Sequence, residues 1–307
     1  MIRYAMGRLL AAIPTLFVLI TLAFFMMRAA PGGPFDRERS LLPEIEQAIK
    51  AAYHLDEPLP QQYLRYMGGL LRGDLGPSFQ YAGYSVSELI LQGLPVSATI
   101  GLSSLLIAVL VGGAAGIWAA RRQNHLADYS VMTLSMAGIS LPSYVVAPLL
   151  ILLFAVVLGW LPASGWEQGR YSDLVLPITA LALPQIAYMA RMMRGSMIEV
   201  LRSNFIRTAR AKGLPESTVI LRHALKPALM PILSLLGPAA AGVITGSVVI
   251  EQIFAMPGIG RYFVQAAINR DYTLVLGVVI FYGTLIVLFN FVVDLLYSAL
   301  DPRVRLQ

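Results

Sequence analysis

Few side chains in this sequence have the type and position needed for chemistry. Asp294 and Asn290 lie one helical turn apart inside a long apolar stretch near the C-terminal end. If that stretch crosses a membrane, an ionised aspartate at its centre costs about 2.5–3.5 kcal/mol. We therefore expect Asp294 either to serve as a proton or substrate site or to be neutralised by an ion pair. A proton pathway usually needs more than one buried acid, and we therefore favour an ion pair with Arg191 or Arg194.

The usual catalytic and metal-binding patterns do not occur in the sequence. The three histidines, His54, His125 and His223, are far apart, and there is no cysteine. No pair of ligands has zinc-site spacing, and neither a Gly-x-Ser-x-Gly elbow nor a Gly-x4-Gly-Lys-Ser/Thr phosphate loop is present. We therefore expect no catalytic residue, no metal site and no nucleotide site in this chain.

The segment Arg191–Pro227 is rich in basic residues and patterned as a helix. Apolar residues at helical spacing predict one apolar face, formed by Ile198, Leu201, Phe205, Ile206 and Ala209. Basic residues fall on the remaining surface, namely Arg202, Arg207, Arg210 and Lys212. Gly213 opens a Gly-Leu-Pro sequence that ends this helix, and a second helical run, Glu216–Leu225, follows. Such a helix is typical of a membrane surface or of a groove on a partner protein, and the residues alone leave both interpretations open.

These residues must be positioned by a chain whose composition suits lipid better than water. Of its 307 residues 57% are hydrophobic and 13% are charged, with a mean hydropathy of +0.69. Soluble domains carry about 25% charged residues. This composition excludes an ordinary soluble enzyme, a disordered chain and a nucleic-acid-binding protein, despite a net charge of +6. We predict an all-α integral membrane protein.

Six stretches are long and apolar enough to cross a hydrocarbon core, which takes about 20 residues each. They are Leu9–Met27, Val96–Ala120, Tyr129–Leu158, Leu174–Ala190, Ala228–Ile250 and Thr273–Leu300. The third and sixth are long enough to tilt or to include interfacial turns. The fourth is the weakest, because it is short and interrupted by Pro177 and Pro184. The first is too long for a signal-peptide core and lacks a good cleavage site, so we interpret it as a retained anchor.

The distribution of basic residues predicts the orientation. Fourteen of the 23 Lys and Arg residues lie in the N-terminus, residues 121–129, the segment Arg191–Pro227 and the tail after Leu300, and eight of those fourteen lie in Arg191–Pro227. Because basic loops stay on the cytoplasmic side, both termini and this segment are expected to be cytoplasmic.

The spans divide the chain into four regions. Residues 1–28 form a first transmembrane helix, residues 29–95 an external loop region, residues 96–300 a five-helix core that includes the cytoplasmic segment 191–227, and residues 301–307 a cytoplasmic tail. In the external region, Pro43–Leu55 and Gln61–Leu71 predict short amphipathic helices. This region is either a cap that seals helix ends or a docking surface.

Small residues recur every four positions in two of the spans. The second span carries Ala108, Gly112, Gly116 and Ala120, and the fifth carries Pro238, Gly242 and Gly246. Small residues at this spacing let two helix backbones approach closely in lipid, which makes helix packing the simpler interpretation. The alternative is a passage for substrate, with Gly242, Gly246, Asn290 and Asp294 as candidate lining residues.

The cytoplasmic segment resembles a known signature. Arg207–Gly213 reads Arg-Thr-Ala-Arg-Ala-Lys-Gly, and Leu221–Ala228 reads Leu-Arg-His-Ala-Leu-Lys-Pro-Ala. Together they resemble the coupling loop of bacterial ABC importer permeases, whose general form begins Glu-Ala-Ala with a glycine six residues after the Glu. Arg207 replaces that Glu, as is usual in the peptide-importer branch, and Gly213 takes the glycine position.

Further motifs extend the resemblance over nearly the whole chain. They are Ile13–Thr15, Arg28–Gly32, Gly73–Gly76, Met256–Gly260, Asn269–Tyr272 and Asp301–Arg305. The sequence is most similar to the first permease subunit of oligopeptide importers, with Ser203–Ile206 and His223–Pro227 separating it from dipeptide and nickel relatives. Permeases for dipeptides, nickel, glutathione or antimicrobial peptides are the alternatives within this family.

The resemblance implies a type I ABC importer permease in the bacterial cytoplasmic membrane. Its implied partners are a second homologous permease, two cytoplasmic ABC ATPases, an external peptide-binding protein and the peptide itself. ATP and magnesium would be bound by the ATPases, so this chain itself would bind no cofactor and would not be an enzyme. The residues implied to contact an ATPase are Phe205, Arg207, Ala209, Arg210, Lys212 and Gly213. An ion-coupled secondary transporter, with Asp294 as its proton site, is the competing hypothesis from another class.

Overall fold

The computed structural model describes residues 2–29, 54, 56–81, 83–167 and 170–300. Outside the helices of these ranges, one isolated antiparallel bridge joins Pro77 and Ser85. The helices are α1 (Ile2–Ala29), α2 (Leu59–Leu70), α3 (Val86–Ile107), α4 (Gly113–Arg121), α5 (Leu126–Ser140), α6 (Ser143–Leu150), α7 (Ser172–Leu201), α8 (Asn204–Ala211), α9 (Glu216–Thr218), α10 (Leu225–Ile253), α11 (Ile259–Ile268) and α12 (Tyr272–Leu300). π-helical turns at Ala108–Gly112, Ile151–Val157 and Val219–Ala224 follow α3, α6 and α9.

The predicted number of membrane spans agrees with the structure. Within the described ranges, five helical segments are long and apolar enough to cross a membrane, and there are six if the bent pair α5–α6 forms one span. The second span begins earlier than the sequence predicts, because α3 starts at Val86. A capping box between Ser85 and Glu88 fixes that start.

The third predicted span is not one straight helix. Its two halves, α5 and α6, meet at an angle of 101°. Leu141, between them, has an extended backbone (ψ 115°), and Pro142 follows it. A proline disfavours helical geometry in the residue before it, which accounts for the position of the break.

The fourth predicted span is longer and more continuous than its sequence indicated. α7 is a continuous helix of 30 residues that contains both Pro177 and Pro184. It lies at the centre of the bundle, in contact with α3, α4, α5, α6 and α10. Neighbouring helices commonly compensate for the hydrogen bonds that prolines remove from a membrane helix, so the prolines do not end this one.

The small residues of the second span allow close packing against α7. A Cβ atom added at Gly112 would lie 2.5 Å from the carbonyl oxygen of Ile186, and one at Gly116 would lie 2.5 Å from that of Ala190. The packing interpretation of this stripe is therefore confirmed at both glycines.

The external helix predicted over Gln61–Leu71 is confirmed as α2. Its Tyr63 packs edge-on against the buried Phe24 of α1, and the Tyr63 hydroxyl forms a 2.7 Å hydrogen bond with Thr21. These contacts hold α2 against the end of α1, which itself packs along α12. The other predicted helix, Pro43–Leu55, falls almost wholly outside the described residues.

Candidate functional site

The basic segment 191–227 connects the two central helices α7 and α10. The sequence pattern predicts a single helix through this region, but the chain turns at Arg202 and Ser203 and starts a new helix, α8, at Asn204. Ser203 has an extended backbone (φ −69°, ψ 155°), so it separates the two helices. The predicted second helical run is confirmed, since α9 continues through its π-helical turn into α10 without a break.

The turn changes which residues of α8 face the protein. Ile206 and Ala209 are buried in one apolar cluster with Met197 of α7 and Val219 and Ile220 before α10. Phe205, which the sequence placed on the same apolar face as Ala209, is 51% exposed. That prediction was wrong because the break after α7 rotates α8 relative to the earlier turns. The Ala209 side chain is buried against the core of this chain.

The outer face of α8 presents one aromatic ring and several cations. Phe205 and Arg207 are exposed on α8, and Lys212, directly after its end, is exposed as well. Arg210 donates hydrogen bonds to Glu216, with Nη2 2.6 Å from Oε1, and these hydrogen bonds raise the pKa of the guanidinium. This pair links the end of α8 to the start of α9 across the intervening loop.

Gly213 begins the loop after α8 in a left-handed conformation, with φ at +73°. Its N–H donates to the carbonyl of Arg210 at 2.9 Å, which closes the helix end. Residues with a side chain adopt this conformation at a cost, which explains glycine here. Among the described residues, a Cβ at this position would have no neighbour within 4 Å.

Asp294 forms an ion pair, but not with the predicted partners. Its Oδ2 lies 3.2 Å from Nε of Arg8, near the start of α1. Arg194 pairs instead with Asp128 at the start of α5. Helices α1 and α12 are far apart in sequence but adjacent in the bundle. Asp294 therefore pairs with Arg8.

The three other candidate lining residues are Asn290 on α12 and Gly242 and Gly246 on α10. Asn290 lies at the contact between α12 and α10, where a Cβ on Gly237 would be 3.0 Å from its Oδ1. Gly242 is exposed, and a Cβ there would have no neighbour within 4 Å in the part of the chain that the structure describes. Gly246 lies on the same helix, α10.

Four acidic side chains among the described residues are buried, and the sequence reasoning identified none of them as buried: Asp128, Asp173, Glu251 and Asp271. Glu251 accepts hydrogen bonds from Ser247 and from the backbone N–H of Gly260, which places it inside the α10–α11 corner. The signal for it was the nearby Met256–Gly260 motif, whose glycines leave room for the carboxylate. In the described part of the chain, no three His, Asp or Glu side chains lie close enough to hold a metal ion.

The bundle has up to six membrane crossings among the described residues, which defines a multi-pass membrane protein with a short basic helix between two central spans. Comparison with protein families gives two matches. Residues 112–306 match "Binding-protein-dependent transport system inner membrane component", and residues 1–100 match the corresponding N-terminal family. The chain belongs to this family and is a multi-pass protein of the bacterial inner membrane.

Several full-length relatives are oligopeptide or dipeptide permeases. The oligopeptide transport system permease protein OppB of Escherichia coli K12 is 55% identical over 305 residues, covering 99% of this chain and 100% of the relative. OppB of Haemophilus influenzae is 53% identical with the same coverage. The dipeptide permease DppB of Bacillus subtilis is 43% identical over 307 residues, covering 100% of this chain and 99% of the relative.

Solved structures share the fold. An inward-facing structure of the MetNI methionine ABC transporter matches with a TM-score of 0.55 at 19% identity, covering 69% of this chain and 96% of that chain. An amino acid ABC transporter with histidines matches with a TM-score of 0.56 at 17% identity, covering 69% and 94%. The fold is therefore that of ABC importer permeases.

Proposed function

We propose that this chain is the permease subunit of an ATP-driven oligopeptide importer, forming half of the peptide pathway. The observation that carries the proposal is the 55% identity to an oligopeptide permease over essentially the full length of both chains. The dipeptide permeases are less similar, at 43% and 42% identity, and they supply the second candidate substrate.

In this proposal the partners are a second homologous permease, two cytoplasmic ABC ATPases and an external peptide-binding protein. ATP and magnesium bind to the ATPases, and this chain carries no cofactor and no catalytic residue. Both termini and the 191–227 segment are cytoplasmic, in agreement with the concentration of basic residues there.

The coupling site is the exposed face of α8. Phe205 is the apolar anchor that enters a cleft of one ATPase, and Arg207, Arg210 and Lys212 set its register. The opposite face of α8 is fixed to the bundle through Ile206 and Ala209, so a displacement of α8 is passed to α7 and α10. When the ATPases close on ATP, this connection tips the pathway from inward- to outward-facing.

The test is to purify the chain with the products of neighbouring genes and reconstitute the assembly in proteoliposomes. We expect peptide-loaded binding protein to stimulate ATP hydrolysis in the complete assembly and not in any subset. Tetrapeptides should compete for uptake better than dipeptides, and the reverse preference would favour the dipeptide alternative. A chain that moves substrate without ATPases would overturn the importer proposal.

A further inference from the structure

The carboxylate of Asp128 is held by an arginine on α7. Asp128 is only 1% exposed, and Arg194 binds both of its oxygens, with Nη2 2.7 Å from Oδ2 and Nε on Oδ1. The backbone N–H of Asn124 donates a third hydrogen bond to Oδ2 at 3.0 Å. A buried carboxylate with a bidentate arginine and a backbone donor is a well-defined geometric link between two elements.

This link joins the turn between α4 and α5 to the end of α7 that carries α8. Asn124 lies in that turn with φ at +64°, and its neighbour Gln123 accepts a hydrogen bond of 3.2 Å from Arg202. Arg202 is the first residue after α7. The region of this turn is therefore bonded to Arg194, on the last turns of α7, and to Arg202, the residue that leads into α8.

A third attachment lies one turn further back along α7. Because Gly116 has no side chain, the backbone of α4 contacts the carbonyl of Ala190 directly. The contact at Ala190 and the ion pair at Arg194 lie on the last turns of α7, and the hydrogen bond of Arg202 lies immediately after its end. A helix held at one point can pivot, whereas one held at three points along its length moves with its partner as a rigid body.

We propose that Asp128 and Arg194 are positioning residues for coupling, and that the moving lever comprises the α4–α5 turn, the end of α7 and α8 together. This inference rests on the proposed function, because it assumes that α8 receives the movement of an ATPase. The ion pair prevents α7 from bending away from its neighbours, so the movement of α8 is passed on to them. Neither residue needs to touch the ATPase or the peptide.

The test compares single and double variants in the complete transporter reconstituted in proteoliposomes, with ATP hydrolysis and peptide uptake measured on the same vesicles. Arg194→Met leaves the buried Asp128 carboxylate unpaired, and Asp128→Asn leaves the partly exposed Arg194 without its charge partner, so both should lower thermal stability as well as coupling. The double variant removes both charges, so its thermal stability should recover. Its ratio of peptide transported to ATP hydrolysed should stay lower than that of the parent, by roughly twofold to thirtyfold.

The control is Glu167→Gln, which breaks the exposed ion pair between Glu167 and Arg170. It should change neither the thermal stability nor the ratio of peptide transported to ATP hydrolysed. A double variant with recovered stability and a normal transport-to-hydrolysis ratio would overturn the positioning role and leave only a structural one. If Phe205→Asp also left the ratio normal, the proposed coupling role of α8 itself would fail. The two failures are thus distinguishable.

Discussion

The backbone N–H of Gly260 donates a hydrogen bond of 2.8 Å to Oε2 of Glu251, a residue that is fully buried. The other carboxylate oxygen of Glu251 accepts a 2.6 Å hydrogen bond from Ser247. On the far side of the same corner, Ser97 of α3 accepts a hydrogen bond from the N–H of Ile259 at 2.9 Å. Together these bonds satisfy the first N–H groups of α11, which otherwise have no partner within the helix. A buried acid and a serine thus fix the corner between α10 and α11.

Replacing Gly260 should destabilise this corner. A Cβ on Gly260 would overlap the backbone of Val248 and lie 2.9 Å from Oε2 of Glu251. Overpacking of this kind costs about 1–3 kcal/mol, so Gly260→Ala should lower the thermal unfolding temperature of the detergent-solubilised protein. The matched control is Gly242→Ala on α10, where a Cβ would contact none of the described residues within 4 Å. Equal unfolding temperatures for the two variants would contradict the packing seen at the corner.

Phe205→Asp should prevent coupling while leaving the chain folded. Phe205 is 51% exposed, so a charge there does not enter the core of this chain. An aromatic anchor in a protein interface commonly contributes about 2 kcal/mol or more, which corresponds to a roughly thirtyfold loss of affinity for the ATPase. The measurement is co-purification of the ATPases together with peptide uptake. Phe205→Leu keeps an apolar side chain and should retain most of both activities, whereas normal co-purification of Phe205→Asp would exclude the anchor role.

Gly213 allows a separate test of the turn after α8. A β-branched residue in a left-handed conformation costs roughly 1–2 kcal/mol, and asparagine adopts this conformation more readily. Because a Cβ at Gly213 would contact none of the residues that the structure describes, the expected strain is in the backbone. Peptide uptake by the reconstituted transporter should therefore decrease in the order parent, Gly213→Asn, Gly213→Val. Uptake equally low in both variants would indicate that the side chain collides with a partner and that the backbone conformation is not the cause.

Much of the architecture could be predicted because apolar length is a property of the sequence alone. The six spans and the basic segment between α7 and α10 follow from runs of apolar residues and from the positions of Lys and Arg. Pro142 was a local sequence signal for the bend at Leu141. A proline inside an apolar run does not by itself determine whether the helix bends there. α7 passes through Pro177 and Pro184 and stays continuous.

The side-chain pairings could not be predicted because they depend on the order of helices around the bundle. Asp294 and Arg194 are both near the same end of their helices, and depth alone makes them plausible partners. In the folded chain α1 lies beside α12 and α5 beside α7, so Arg8 takes Asp294 and Asp128 takes Arg194. The orientation of Phe205 was missed for a related reason, since helical periodicity is lost at the break after α7.

The ion pair between Asp294 and Arg8 leads to a prediction that separates the two classes of transporter. Their side chains are 27% and 53% exposed, and partly exposed ion pairs contribute about 0–1 kcal/mol, so Asp294→Asn should leave the protein stable. An ATP-driven importer needs no proton transfer through Asp294, so the variant should transport peptide at close to the parent rate. The measurement is uptake into proteoliposomes under ATP depletion and, separately, with a protonophore. Transport by the variant should stop without ATP and continue with the protonophore, because its energy comes from the ATPases. If Asp294→Asn abolished uptake in a fully assembled complex, or if the protonophore stopped the parent, Asp294 would be a proton site and the transporter would be ion-coupled.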